Sequence, residues 1–269
     1  MAGLIKILIT LVVAAVILGG AAYIANELYF KPKKMDQLER EELARLAAEA
    51  AAPPPPDSTV PLFEKLRTTA DLPALRSGLE EFLQTHPDST KAAEARELLG
   101  ETNANLLFSS QPTPDKESYT VVKGDSLVKI ASKYQTSAEM LMRTNNLLTH
   151  NLQIGQSLLV PKFTPRIVVN RKTKTLTLLN GGAFFKEYAL QAPRLPAAQT
   201  TKISDKIAIK DGKRVAFGAK EFVDADRTLM LAPPAGMFIR AEAEPASGLM
   251  LPRADLEEIY TLVPIGTPV

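Results

Sequence analysis

The chain has 269 residues, 45% apolar and 23% charged, with 32 Lys and Arg against 30 Asp and Glu. A net charge of +2 argues against a nucleic-acid binder driven by bulk positive charge. With no Cys and only two His, the chain has no disulfide, thiolate metal site, Fe–S cluster or cysteine nucleophile, and a His-built metal centre is all but excluded.

After Lys6, the run Ile7 to Ala25 (ILITLVVAAVILGGAAYIA) carries no charge. A helix of about 20 apolar residues crosses a bilayer core. The run exceeds the usual ~7–15-residue core of a signal peptide, so residues 1–30 read as an uncleaved transmembrane anchor. Gly20-Ala21-Ala22 keeps cleavage as the alternative. Lys31, Lys33 and Lys34 follow the span, and counted alone they would place the rest of the chain in the cytoplasm.

Residues 31–59 read as a stalk. A spacer helix over 35–50, with Leu38, Leu43 and Leu46 as a thin apolar stripe, runs into the stiff Pro53 to Pro56 segment. Residues 60–110 read as a small helical module. Asp71 is placed to cap a helix carrying Leu72, Leu75, Leu79, Phe82 and Leu83 at helical spacing. His86-Pro87 stops it, with His86 a turn residue, and Ser89 is placed to cap a second helix whose inward face is Ala92, Ala95, Leu98, Leu99 and Leu106. The segment FLQTHPDSTKAAEARELLG resembles a tetratricopeptide-type unit. One such unit cannot bury a core alone, so packing against a neighbour or partner is expected.

Residues 118–162 are the most specific part. Tyr119 to Val122 alternates like a strand and ends at Lys123-Gly124-Asp125. Ser126 or Asp125 caps a helix with Leu127, Ile130, Ala131 and Tyr134 inward. Thr136 with Glu139 makes a capping-box pattern for a second helix bearing Met140 and Leu141, and Ser157 to Val160 forms a closing strand. The order is βααβ. The segments YTVVKGDSLVKIASKY, NNL and LQIGQSLLVP resemble a LysM domain, a family that binds N-acetylglucosamine-containing glycans, above all peptidoglycan and chitin. The resemblance implies a shallow groove with Gly124, Asp125, Ser126 and Leu127 on one side and Asn146, Leu147 and Ile154 on the other. Gly124 and Asp125 can equally serve to build the turn and the helix cap. His150 reads as an exposed loop residue. Ser126 and Lys129 match the S-x-x-K pattern of penicillin-binding proteins, but a module this small cannot house that active site.

Residues 165–269 alternate short strands with Gly and Pro turns. RIVVN (166–170), KTLTLL (174–179) and AFFKEY (183–188) read as strands, Asn180-Gly181-Gly182 as a hairpin turn, and Arg253 to Leu262 as a helix with Leu256, Ile259 and Tyr260 inward. This is a mainly-β sandwich. The opening IVVNRKTKTLTLLNGG, the inserted DGKRVAFGAKEFVDADRTLML and the ending FIRAEAEPASGLMLPRADLEEIYTLVPIGTPV resemble the YkuD-type L,D-transpeptidase domain. The resemblance implies a Cys nucleophile after Ser247-Gly248 and a His after Ile239. Leu249 and Arg240 stand there instead, and the family's later Arg is Leu251. A thiolate and an imidazole base are what that chemistry requires. The degenerate catalytic cleft is thus marked by Arg240, Ser247, Gly248 and Leu249, with Glu242 beside it, and Arg240 could contact a stem-peptide carboxylate.

The fold expected is multidomain α+β: a transmembrane helix, a helical module, a βααβ LysM domain and a YkuD-like β sandwich. The function expected is a non-catalytic, single-pass protein of a bacterial inner membrane, with its bulk in the periplasm or outside the membrane. It would bind peptidoglycan, tether or scaffold cell-wall enzymes or envelope proteins, and use no cofactor, metal or nucleic acid. A divergent wall enzyme with an unrecognised nucleophile, and an interaction scaffold located by the helical module, are the competing readings.

Overall fold

A computed structural model describes residues 2–51, 57–191, 200–233, 236–241 and 248–269. The chain divides into two compact units, Met1–Pro56 and Asp57–Val269. In the first, α1 (Ala2–Ala25) passes through a π-helical turn (Asn26–Phe30) into α2 (Lys31–Ala51). The helix from Ile7 to Leu28, 22 residues, is long and on the whole apolar enough to cross a membrane. The helix is apolar all round, a pattern suited to lipid or to burial in protein rather than to water. Lys31 pairs with Glu27 one turn earlier, at 2.7 Å. The helix therefore runs from the apolar span into the polar segment without a break. Pro53 to Pro56, expected to stiffen the stalk, lies outside the described residues.

The second unit opens with α3 (Val60–Arg67), α4 (Leu72–Thr85) and α5 (Ala92–Phe108). Asp71 caps α4 as expected, its carboxylate accepting from Ala74 N at 3.0 Å. Phe63, Leu75, Leu79, Phe82, Ala95 and Leu99 close a small core, and His86 turns its ring edge to Phe82 at the end of α4. The start of α5 departs from expectation. Ser89 does not cap it directly; the residue before the helix, Lys91, makes no side-chain cap. Ser89 Oγ instead accepts from Lys91 N at 3.1 Å, while the distant Asp57 takes the Thr90 N–H at 2.7 Å and the Thr90 hydroxyl at 2.8 Å. Asp57 also accepts from Thr59 N at 2.8 Å and from Ser89 Oγ at 3.1 Å.

A βααβ segment follows: β1 (Lys116–Thr120), α6 (Leu127–Lys133), α7 (Ala138–Thr144) and β2 (Ser157–Pro161). The two strands pair antiparallel, Tyr119 opposite Leu158. The first begins three residues before the alternation suggested, because Lys116 is buried and spends its ammonium on Ser109 and Gln111 carbonyls. The capping-box expectation for α7 is corrected: Ser137, not Thr136, is the N-cap and accepts from Met140 N at 3.0 Å. Ser137 has the extended backbone that a cap requires. The Thr136 hydroxyl points at Met140 Sδ, 3.0 Å away.

The C-terminal part holds two sheets. β3 (Pro165–Asn170), β4 (Thr175–Asn180) and β5 (Ala183–Ala189) form an antiparallel meander. Its turns are those expected: Asn170 Oδ1 accepts from Lys172 N and Thr173 N, and Gly181 and Gly182 supply positive φ. The second sheet contains β6 (Lys202–Lys210), β7 (Lys213–Arg214), β8 (Asp226–Ala232), β9 (Met237–Arg240) and β10 (Gly248–Met250), in the order β10-β9-β8-β6-β7. Only β9 and β10 run parallel. The helix α8 (Arg253–Leu262) buries Leu256, Ile259 and Tyr260 as its spacing predicted. Ile167, Leu176, Leu178, Ile203, Leu229, Ile239 and Ile259 share one core between the sheets and α8.

Neighbouring elements are locked to this core. Helix α5 lies on β5, so close that a Cβ on Gly100 would come within 2.8 Å of Lys186 Cγ. Asn103 Nδ2 donates to Phe185 O at 2.9 Å. Lys186 Nζ sits 2.7 Å from Glu101 and 2.9 Å from Glu258, whose other contact is the Tyr188 hydroxyl at 2.8 Å. Burial lowers the Lys186 pKa, but the two carboxylates outweigh it and the net shift is upward. Burial pushes the Tyr188 hydroxyl well up. The helix α7 docks likewise: Met140 is fully buried in the sheet core, Ser137 Oγ donates to Thr261 O, Thr144 Oγ1 donates to Leu107 O, and the Arg143 guanidinium covers the Phe108 ring.

The Asp57 bonds give a stability prediction. Its carboxyl is held far below the usual 3.8, first by the Thr59 hydroxyl and then by the remaining donors. A depressed native pKa adds stability above the unfolded value and loses it as pH falls through the native one. Asp57→Asn is therefore expected to lower the thermal midpoint of residues 57–269 at pH 7. Its difference from wild type should shrink as the pH drops below about 4, in thermal melts followed by circular dichroism.

Candidate functional site

The βααβ segment presents two turns. In the first, Gly124 adopts φ +91 with open space where a Cβ would sit, and its carbonyl accepts from Lys129 Nζ at 2.8 Å. Asp125 Oδ2 accepts from the Tyr119 hydroxyl at 2.7 Å and from Val122 N at 2.9 Å. The Val122 amide, then the Tyr119 hydroxyl, hold the Asp125 carboxyl below its ordinary range, and the same bond raises the Tyr119 pKa. Asp125 thus ties the turn together. Ser126 is the N-cap of α6, accepting from Lys129 N at 3.3 Å. Leu127, expected at the groove, has its side chain buried in the module core with Ile130, Leu141 and Leu158 and its backbone at the turn. The spacing that placed it beside Ser126 is also the first inward position of the helix.

The opposite side is more open. Asn146 takes φ +50 after α7, and its Nδ2 donates to Ser110 Oγ at 3.2 Å. Leu147 is half-buried, packed on the module core. Ile154 is 72% exposed and lies beside the first strand's end, because Gly155 N donates to Val121 O and Val121 N to Gln156 O, both at 2.9 Å. Val122 is exposed as well. The face therefore combines small polar groups, exposed backbone and apolar side chains.

Sequence reasoning missed Asn145. Its amide bridges to β2, donating to Leu159 O at 2.8 Å and accepting from Leu159 N at 2.7 Å. No helical or strand periodicity marks such a bond. Removing it leaves part-buried backbone groups unpaired, at about 1 kcal/mol. Asn145→Ala is expected to destabilise the protein by about that amount in urea titrations, whereas Asn146→Gly, exposed and compatible with the positive φ at that position, should leave the midpoint nearly unchanged.

The second set of residues lies on β9 and β10. Leu249 stands opposite Ile239, and both are core residues, with 2% and 0% exposure. Arg240 faces the other way, opposite Met250, with its guanidinium 4.3 Å from the Phe238 ring centre and Nε buried without a hydrogen-bond partner among the described residues. Gly248 is required by close packing, since a Cβ there would lie 2.4 Å from Phe238 Cε2. Ser247 and Glu242 lie outside the described residues. Among the described residues no group of three or more His, Asp or Glu is arranged to hold a metal ion. His150 is exposed, its ring 3.4 Å from the Cβ position of Gly218.

Because the chain has no native cysteine, Leu249→Cys places one thiol at this position. Burial predicts that it resists Ellman's reagent in the native protein and reacts fully in guanidinium, a contrast read from the absorbance time course.

Residues 119–161 match the LysM domain family model. A crystal structure of a mutant Enterococcus faecium L,D-transpeptidase matches at 15% identity and a TM-score of 0.28, over 45% of this chain and 54% of that one. The chain thus spans about half the length of the solved structure it matches. Residues 119–161, with their antiparallel strand pair and two intervening helices, are a LysM domain.

Proposed function

We propose that the protein is a membrane-anchored, non-catalytic peptidoglycan-binding protein of the bacterial envelope. The observation that carries this reading is the LysM domain at 119–161, whose exposed Gly124 turn, Asn146 amide and Ile154 side chain offer what an N-acetylated glycan needs. Hydrogen-bonding backbone and small polar groups recognise the acetamido group, and an apolar surface receives the sugar face. The apolar helix from Ile7 to Leu28 supports attachment to a membrane. The glycan partner supports placing the bulk of the chain on the outer side of an inner membrane, against the charge of Lys31, Lys33 and Lys34.

The C-terminal part is read as a degenerate L,D-transpeptidase-like domain that serves as a scaffold. Its support is chemical: Leu249 and Arg240 occupy the positions where the resemblance expects a thiol and an imidazole, and the chain has no cysteine at all. Leu249 is moreover committed to the core. Cell-wall enzymes or other envelope proteins are the partners such a scaffold would take.

The test is co-sedimentation of residues 57–269 with purified peptidoglycan. Wild type should pellet with the wall, Asn146→Ala and Ile154→Asp should each weaken binding about tenfold or more, and Gly124→Val should weaken it through strain at its positive φ. Failure of the wild type to pellet would sink the glycan reading. The same sample incubated with muropeptides should release or exchange no product; turnover would overturn the non-catalytic reading and favour a divergent wall enzyme.

A further inference from the structure

A wide cleft lies at neither of the sites above. It has a volume of about 1020 Å³ and separates helices α6 and α7 from β6, the segment after β7 and the loop after α8. Tyr134, Phe163, Phe217, Phe222 and Ile265 give it apolar walls. Its ionisable lining is Lys162, Lys206, Arg214 and a single carboxylate, Glu139, with Tyr134 and Tyr260 as phenols.

Lys206 is the unusual member. Its side chain is 11% exposed, and Nζ has no hydrogen-bond partner among the described residues. Glu139 Oε2 is 3.8 Å away, beyond hydrogen-bond reach, and the Tyr260 ring centre is 4.4 Å away. On the far side of Tyr260 and Phe222 lies Arg227, with 7% side-chain exposure. Its Nε donates to Glu257 at 3.1 Å, but NH1 has no partner. Arg214 is already engaged by Asp205 at 2.9 Å. Two buried cations with unmet donors are costly, and each is met most cheaply by an oxygen anion.

We propose that this cleft is a binding site for a small carboxylate with an apolar body, the carboxylate received by Lys206 beside Tyr260. The apolar walls take the body of the ligand. A single negative charge fits better than two, because Glu139 stands close to the same ammonium and repels a dianion more strongly. The cleft is separate from the turns of Gly124 and Asn146, so the proposal does not rest on glycan binding.

The test uses the full chain in detergent micelles and four probes: N-acetylphenylalanine, N-acetylphenylalaninamide, phenyl phosphate and inorganic phosphate. Binding is read by calorimetry and by the thermal midpoint. N-acetylphenylalanine is expected to bind and raise the midpoint, and its amide to bind at least tenfold more weakly. Lys206→Met leaves Glu139 without its neighbouring cation, so its binding is read once circular dichroism shows the fold, and Lys206→Met with Glu139→Gln, which removes both charges, is measured beside it. Each should lose at least tenfold in affinity for the carboxylate and none for the amide. Lys206→Gln, which keeps a polar chain but removes the charge, serves as a second variant and should weaken the carboxylate alone. Absence of carboxylate binding, equal binding of acid and amide, or undiminished binding in these variants would overturn the proposal. Tighter binding of phenyl phosphate or inorganic phosphate would overturn the carboxylate assignment.

Discussion

Met140 is the residue on which the arrangement of the second unit turns. It sits on a helix of the LysM domain, yet its fully buried side chain belongs to the core of the β sheets. Its neighbour Leu141 faces the other way, into the LysM core with Leu127 and Leu158. One short helix thus serves two cores, and neither can close without it. Burial of a side chain of this size contributes roughly 1.5–3 kcal/mol, and close packing does not let such an anchor slide. The Gly124 and Asn146 turns are consequently held in place with respect to the sheets.

The same logic governs the helical module. Its core of Phe63, Leu79 and Phe82 is small, and a core of that size does not stabilise three helices alone. Gly100, Asn103 and Glu101 lay α5 on β5, where Lys186 gathers Glu101 from the helix and Glu258 from α8. A buried ion pair of this kind is weak evidence for net stability but fixes register, because a misplaced α5 would leave the ammonium short of a carboxylate. The partner that the tetratricopeptide-type pattern lacked is therefore found within the chain.

Composition and strand pairing bear on the same pair of strands. Composition removes every thiol. The parallel pairing of β9 and β10 then turns Leu249 and Ile239 inward together, and sends Arg240 to the opposite face beside Phe238. The side chain at position 249 is spent on packing. Among the donors left without partners, Arg240 Nε lies beside these strands, while Lys206 Nζ lines a different opening of the molecule.

What the sequence determined by itself was whatever depends on local spacing. The apolar span, the Asp71 and Ser126 caps, the Asn-Gly-Gly hairpin, the inward face of α8 and the βααβ order are all set by periodicity or by the backbone needs of individual residues. So were the Gly124 and Asn146 turns, since both need positive φ. Only the tertiary structure decided the rest. Asp57 holds the start of a helix more than thirty residues away, Asn145 bridges to β2 rather than to a ligand, and the Leu127 side chain joins the module core. Met140 and Lys206 acquire their partners from segments remote in the chain. These contacts join elements with no fixed sequence separation, so no local pattern encodes them; they exist only once burial has chosen which faces meet.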